Sequence, residues 1–156
     1  MLDLVGIATA LRDIARDLQD DESNFLLAGG TDPANRQAFL GINESFPSTP
    51  ACEVILADGR LQSLPAGAEA NLHSVRLQVV FYVAMSKNLD GAELELVPIA
   101  EAFMKALHAD DFDFTLDGRV EDCRPSNFDF DLVNRNGRFY RYAAVEVHAG
   151  DLGSEI

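Results

Sequence analysis

Tryptophan is absent from this 156-residue chain, and cysteine and histidine are scarce. The two cysteines, Cys52 and Cys123, are too few for a disulfide scaffold, so we expect small buried or half-buried thiols in a reducing compartment. None of the three histidines has a second His or a Cys at ligand spacing, so no zinc pattern is present. We therefore expect neither a metal site nor a cofactor.

Basic residues are also few. The chain has 12 Lys and Arg residues and 26 Asp and Glu residues, which gives a net charge of -14. A protein that binds nucleic acid tightly needs a basic patch for the phosphates. The excess of acidic over basic residues argues against a protein of this class. The simplest consequence is an acidic surface in contact with water. A sharper hypothesis is a surface that lets DNA pass without holding it.

Long apolar runs are missing as well, and none approaches the roughly 20 residues that a membrane helix needs. The first residues, MLDLVGIATALRDIARDLQDD, contain early acids and no basic leader, which is atypical of a signal peptide. Their apolar spacing predicts an amphipathic helix over 2–18, with Asp3 in its first turn. Asp20, Asp21 and Glu22 then form a solvated acidic end.

The stretch from His73 to His108 organises the rest of the chain. Residues 74–85, SVRLQVVFYVAM, alternate in character and predict a long strand with one buried face. A turn is predicted over 87–91, followed by an amphipathic helix over 93–108 with Pro98 near its start. The predicted buried stripe of this helix is Leu94, Val97, Ala100, Phe103, Met104 and Leu107.

The remaining segments predict short elements and turns. Residues 25–50 show no clear period and predict a long irregular loop that is functional or ordered by a partner. A short strand over 52–57, a turn at Asp58-Gly59 and a second short strand over 60–64 follow. Residues 112–118 predict a strand and a turn rather than a calcium loop, because the third and twelfth ligand positions hold unsuitable residues.

The end of the domain predicts a β-hairpin. Asn136-Gly137 is a favoured type I′ pair, which places residue 135 opposite 138 and Phe130 opposite Ala143. Phe128, Phe130 and Leu132 then share one face, which we predict to be the core face. The fold expected is α+β, with a mixed or antiparallel sheet of about four to six strands and two main helices. We expect a single domain over 1–150 and a frayed tail over 151–156.

Motifs that carry chemistry are not found. No Gly-Lys-Ser/Thr follows the Gly29-Gly30 pair, so it is not a phosphate loop, and no nucleophile elbow or dinucleotide fingerprint is present. Acidic pairs arise by chance among 26 acids. A small acidic hydrolase using acids near Asp110 to Asp117 stays open as an alternative, but we expect a protein that is not an enzyme.

Two stretches, SVRLQVVFYVAMSKNLDGAELELVPIAEAFMKAL and FDFDLVNRNGRFYRYAAVEVHAG, together with the element order over 2–150, resemble the tail-terminator proteins of long-tailed phages. The resemblance implies an α+β protomer in a hexameric ring that caps the tail tube, ends its polymerisation and joins tail to head. It implies location in the virion tail or neck after assembly in the host cytoplasm. The implied partners are the protein itself, the tail tube protein and neck or connector proteins, with no membrane; a neck or head-completion adaptor is the alternative.

Two sets of residues are candidates for contacts in such an assembly. The second face of the sheet should carry Val80, Tyr82, Tyr140 and Tyr142, which suit either a subunit interface, where Tyr is enriched, or a second small core covered by the first helix. The candidate channel or partner-facing acids are Asp20, Asp21, Glu22, Asp129 and Asp131. In a ring around DNA they would repel the phosphate backbone at short range.

Overall fold

The computed structural model describes residues 3–62, 71–85, 89–108 and 122–150. The α+β prediction is confirmed, because the described chain forms a five-stranded mixed sheet with two α-helices on one face. In chain order the elements are α1 (Leu4–Arg16), a short 3-10 helix (Pro33–Asn35), β1 (Ala38–Leu40), β2 (Ala51–Gln62), β3 (Asn71–Ala84), α2 (Leu89–His108), β4 (Asp122–Arg135) and β5 (Arg138–Gly150).

The strands lie in the order β1-β2-β3-β5-β4, so the predicted long strand is the centre of the sheet. β1 runs parallel to β2, and the other neighbours are antiparallel. The alternation in β3 is confirmed, since Val75, Leu77, Val79 and Phe81 are all buried beneath the helices. We call this side of the sheet the helix face and the opposite side the second face.

Helix α1 confirms the predicted amphipathic helix, with Ile7, Leu11 and Ile14 buried against the helix face. Its start differs slightly from the prediction. Asp3 is the N-cap residue, and its carboxylate accepts the backbone N–H of Gly6 at 3.0 Å. This bond satisfies one of the amide donors that a helix leaves free at its first turn.

Helix α2 is rotated relative to its predicted orientation. The helix begins at Leu89, so part of the predicted turn is helical and Pro98 lies inside the helix rather than near its start. The predicted burial of Leu94 and Val97 is wrong, because their exposed fractions are 76% and 37%. Pro98 is also exposed, so the carbonyl of Leu94 that loses its amide partner has access to water.

The buried stripe of α2 instead follows an aromatic contact. The rings of Phe103 on α2 and Phe81 on β3 meet edge to face with centroids 5.6 Å apart. One turn on either side, Ile99 and Leu107 are buried in the same core. This packing sets which face of the helix points inward, and that face differs in part from the stripe that the apolar spacing predicted.

Strand β2 corrects the prediction of a turn at Asp58-Gly59. The strand runs without a turn through both residues, and Gly59 pairs with Val75 of β3. A register shift between Leu56 and Asp58 marks a β-bulge there. The hydrogen bonds that pair β2 with β3 outweigh the local turn preference of the Asp58-Gly59 dipeptide. That preference is seen only as an irregularity in β2.

The C-terminal hairpin confirms its predicted register. Arg135 pairs with Arg138, Phe130 pairs with Ala143, and the two turn residues have positive φ, 52° at Asn136 and 80° at Gly137. Positive φ at both positions is the mark of a type I′ turn. The predicted strand and turn over 112–118 and the tail over 151–156 lie outside the described residues.

The segment predicted as a long irregular loop is partly ordered by its own side chains. It contains the 3-10 helix and β1, and Arg36 within it is buried. The Arg36 guanidinium donates to Asp17 at 2.9 Å and lies 3.7 Å from the centre of the Phe25 ring. This pairing attaches the loop to the end of α1.

Candidate interaction surfaces

The second face of the sheet does not present the predicted subunit interface as an open surface. Val80, Tyr82 and Tyr140 are buried within the chain, and Tyr142 is half-buried. Residues 41–50, which we call the cover segment, lie over them and supply Phe46 to the cluster. The alternative of a second small core therefore describes this face, but α1 packs on the helix face and does not cover it.

Phe46 anchors the cover segment. Its ring centroid lies 4.8 Å from that of Tyr82 and 5.4 Å from that of Tyr140, with an edge-to-face contact to the latter. Its backbone N–H donates to the Tyr140 hydroxyl at 3.4 Å. Such aromatic pairs add to the free energy of simple area burial, so this residue accounts for much of the closure of the second face.

A buried carboxylate lies beside this aromatic cluster. Glu53 on β2 has no exposed surface. Nη1 of Arg135 donates to both of its oxygens at 2.9 Å, and the Tyr82 hydroxyl donates to Oε1 at 2.8 Å. Asn43 of the cover segment donates to Oε2 from its backbone N–H and, at 3.1 Å, from its side-chain amide. The acceptor positions of the carboxylate are thus well occupied.

The same arginine closes the cluster from the hairpin side. Nη2 of Arg135 donates to the Tyr82 hydroxyl at 2.7 Å, and Nη1 donates to the carbonyl of Asn43 at 3.0 Å. Its guanidinium also lies 4.7 Å from the centre of the Tyr82 ring. We call Asn43, Glu53, Tyr82 and Arg135 the Glu53 cluster. It joins the cover segment, β2, β3 and the end of β4, which is a stabilising arrangement rather than a reactive one.

The titration properties of neighbouring groups agree with a stabilising role. Burial raises the pKa of the Tyr82 phenol above its ordinary value, with the negative charge of Glu53 as a further cause. Burial likewise raises the pKa of the Cys52 thiol. A thiol held in its neutral form is a poor nucleophile. The expectation of small buried cysteines is confirmed, since Cys52 and Cys123 are both free and buried.

The candidate acids are exposed but lie in two places. Asp20, Asp21 and Glu22 follow α1, which packs against β1 and β2. Asp129 and Asp131 lie on β4, at the opposite edge of the sheet. The structure of one chain therefore does not bring the two groups together. A common acidic surface would require different copies of the chain.

Asp20 also has a local role. Its carboxylate accepts the backbone N–H groups of Asn24 and Glu22, each at 2.9 Å. The bond from the Asn24 backbone, followed by that from Glu22, holds the pKa of the Asp20 carboxyl below its ordinary value. This residue shapes the loop after α1 whatever it faces in an assembly.

Some apolar side chains on β4 are exposed, although the sequence predicted that they would be buried. Predicted core positions Phe128 and Leu132 on β4 are 50% and 47% exposed, and only Phe130 between them packs against the core. Alternation predicts the face of a strand correctly here, but it does not tell how far a helix extends over that face. β4 is the edge strand of the sheet, and part of its helix face is left uncovered.

A polar contact joins α2 to the hairpin. Nε of Arg141 on β5 donates to Glu93 of α2 at 2.6 Å, and its guanidinium lies 5.9 Å from the centre of the Phe130 ring. Phe128 meets Phe130 edge to face, with centroids 5.7 Å apart. We define the hairpin patch as the exposed apolar residues of the hairpin and of α2, namely Leu94, Val97, Phe128, Leu132 and Phe139.

Among the described residues, no group of three His, Cys, Asp or Glu is placed to hold a metal ion. His148 lies 3.3 Å from Glu146, which also pairs with Arg76, so it belongs to a network of polar contacts at the surface. No helix of the described chain has the length and apolar character that crossing a membrane requires. The acids of 110–117 lie outside the described residues.

No protein-family model matches the chain, and no curated protein matches it at a significant level.

Proposed function

We propose that this protein is a structural component of a phage-type tail, a tail terminator. Six copies would form a ring that caps the tail tube, ends its polymerisation and joins tail to head. The observation that supports this proposal best is the hairpin patch, since it suits contacts with other protein surfaces. The α+β protomer with its closing hairpin agrees with the element order on which the sequence resemblance rests.

The composition of the hairpin patch favours a protein partner over a nucleic acid. Its members are aliphatic residues and phenylalanines that are between 37% and 76% exposed. Contiguous exposed apolar surface marks interaction sites in proteins that otherwise keep such residues inside. Aromatic residues that bind single-stranded nucleic acid work together with a basic groove, whereas this chain carries a net charge of -14.

The acidic character of the chain suits a ring through which DNA passes. In this proposal the exposed acids on α1's end and on β4 contribute to a wall that repels phosphate, and no specific DNA contact is made. The partners are further copies of the chain, the tail tube protein and neck or connector proteins. The location is the virion tail or neck, with assembly in the host cytoplasm.

The proposal is tested by mass and by tail length. We expect light scattering on the purified protein mixed with tail tubes to show a hexamer-sized ring. Tails assembled without the protein should be overlong when viewed by electron microscopy. A protein that stays monomeric with tubes present contradicts the proposal. Tails of normal length that fail to join heads point instead to a neck adaptor.

Variants of the hairpin patch separate a specific contact from a general effect. Leu132→Asp places a charge in the patch, and we expect it to abolish ring formation. Val5→Asp changes an exposed apolar residue on α1, outside the patch, and should leave assembly unchanged. Equal assembly of both variants would show that the patch is not the contact surface.

A further inference from the structure

The cover segment is a loop whose two ends are fixed to the rest of the chain. At one end the N–H of Gly41 donates to the carbonyl of Val54 at 2.8 Å, and at the other the N–H of Ala28 donates to the carbonyl of Pro50 at 2.9 Å. Within the cover segment, which the structure describes throughout, Phe46 is the one buried residue. A segment that is held between its ends by one ring and a few polar contacts opens at a lower free energy than the core of the sheet.

The sheet residues beneath the segment do not depend on it for their own contacts. Glu53, Tyr82 and Arg135 bind one another directly, with Nη1 of Arg135 at 2.9 Å from both carboxylate oxygens. The buried carboxylate therefore keeps its cation and its phenol donor without Asn43. When the segment leaves, it leaves behind an aromatic pocket with a charged rim.

The chemistry of this pocket defines its ligand. The ring of Phe46 lies against Tyr82 and Tyr140, with centroid distances of 4.8 and 5.4 Å. At the end of β3, the backbone N–H of Ala84 donates to Oγ1 of Thr49 at 3.1 Å. The ligand that fits is therefore a segment with a phenylalanine, an asparagine three residues before it and a threonine three residues after it. A second copy of this chain carries that segment.

The backbone of the segment has a hinge and a limited reach. Gly41 has a φ of 82°, and in the described structure the space where a Cβ would lie is open to 4 Å. Glycine adopts positive and negative φ with similar ease, so the chain can change direction here without strain. The shorter arm, from Phe46 to Pro50, spans at most about 14 Å when extended. A neighbouring copy whose second face lies within this reach can receive the ring.

We propose that neighbouring copies of this chain exchange their cover segments, so that Phe46 of one copy fills the pocket of the next. The inference rests on the proposed function, since the copies are those of the ring, and it adds a contact to that of the hairpin patch. Each copy loses and regains the same contacts, so the exchange costs little beyond opening and association.

The direction of the exchange suits a ring. A segment that passes from each copy to the next makes a head-to-tail contact, and such contacts generate closed rings when the rotation between copies closes. In such a ring the tyrosines of the second face contact a neighbouring subunit, which is the role that the sequence suggested for them.

A peptide added in trans tests the pocket. Phe46→Ala empties the pocket and leaves its walls in place, and the peptide GINESFPSTP carries residues 41–50. We expect the peptide to raise the melting temperature of Phe46→Ala in proportion to its concentration, because a ligand of the folded state stabilises that state by mass action. The same peptide with alanine in place of phenylalanine should have no effect. Ile42→Ala, whose pocket is filled, should respond little. If the phenylalanine peptide does not stabilise Phe46→Ala, the proposal is overturned.

Photo-cross-linking tests the exchange itself and does not depend on the folding of Phe46→Ala. Chains with Phe46→p-azidophenylalanine are co-expressed with wild-type chains that carry a different tag. Irradiation of the assembled rings should join the two kinds of chain, with the cross-link in wild-type peptides that contain Tyr82 or Tyr140. Val5→p-azidophenylalanine on α1 is the control and should not give this product.

The outcomes separate the exchange from the proposed function. Rings whose cross-links from position 46 all lie within one chain overturn the exchange and leave the terminator proposal intact. A protein that stays monomeric with tail tubes present, and whose cross-links all lie within one chain, overturns both.

Discussion

Arg135 and Glu53 are 82 residues apart in the chain, yet Nη1 of the arginine lies 2.9 Å from both oxygens of the buried carboxylate. The contact joins the end of β4 to β2, across the two strands that separate them in the sheet. It also holds Asn43 and hence the cover segment. The ion pair thereby closes the second face of the sheet.

Replacing Arg135 with methionine should lower the free energy of unfolding by about 3 kcal/mol, because Glu53 is left buried without its cation. Urea denaturation measures the loss. Arg138→Met alters an exposed arginine of the same hairpin and should change stability little. The double variant Glu53→Leu/Arg135→Met should be more stable than Arg135→Met alone. Equal losses for Arg135→Met and Arg138→Met would contradict the role of the pair.

Phe46→Ala should cost about 3–5 kcal/mol of unfolding free energy, because a fully buried ring is replaced by a cavity between two tyrosines. Thermal and urea unfolding measure this loss. Ile42→Ala is the matched control in the same segment, since Ile42 is 73% exposed. If both variants unfold alike, the cover segment does not close the second face.

Tyr82 should resist ionisation in the folded protein. Its folded-state pKa is raised above the ordinary value of about 10, so its contribution to stability is complete below that pH and is lost as pH rises through the folded-state pKa. Up to about pH 11, tyrosinate absorbance of native protein should be the same for wild type and Tyr82→Phe. In urea-unfolded protein the variant should lose the signal of one of the three tyrosines. A difference between the native curves would contradict the burial of the hydroxyl.

Replacing Asn136 and Gly137 together with valine should destabilise the hairpin by about 2–4 kcal/mol, because each β-branched residue is forced to positive φ at roughly 1–2 kcal/mol. The melting temperature is the measurement. Asn134→Val tests an exposed strand position beside the turn and should have a small effect. Phe130 is the hairpin residue whose core contact a register slip would disturb. An unchanged melting temperature would contradict the turn geometry.

Several elements followed from local patterns because each pattern is repeated over many neighbouring residues. The period of two in β3 and the apolar spacing of α1 identify buried faces without reference to any distant contact. The Asn136-Gly137 pair fixed the hairpin register for a similar reason, since the turn type alone determines which residues oppose each other.

The errors arose where a distant contact outweighed a local preference. The Asp58-Gly59 dipeptide favours a turn, but pairing with β3 carries β2 straight through it. For helix α2 the apolar spacing predicted a stripe that included Leu94, but the contact of Phe103 with Phe81 orients the helix so that Leu94 is exposed. The Glu53 cluster was not foreseen because no spacing in the sequence links a glutamate in one strand with an arginine at the end of another.

By itself, the sequence determined the α+β class, the central strand, the hairpin and the acidic charge balance, because these depend on composition and on short-range periodicity. Only the tertiary structure decided that Tyr82 and Tyr140 are covered by Phe46, and that Phe128 and Leu132 are not covered by α2. A pattern of apolar residues tells which face avoids water. Which segment covers that face, and how far it extends, depends on the lengths and packing of elements distant in the chain.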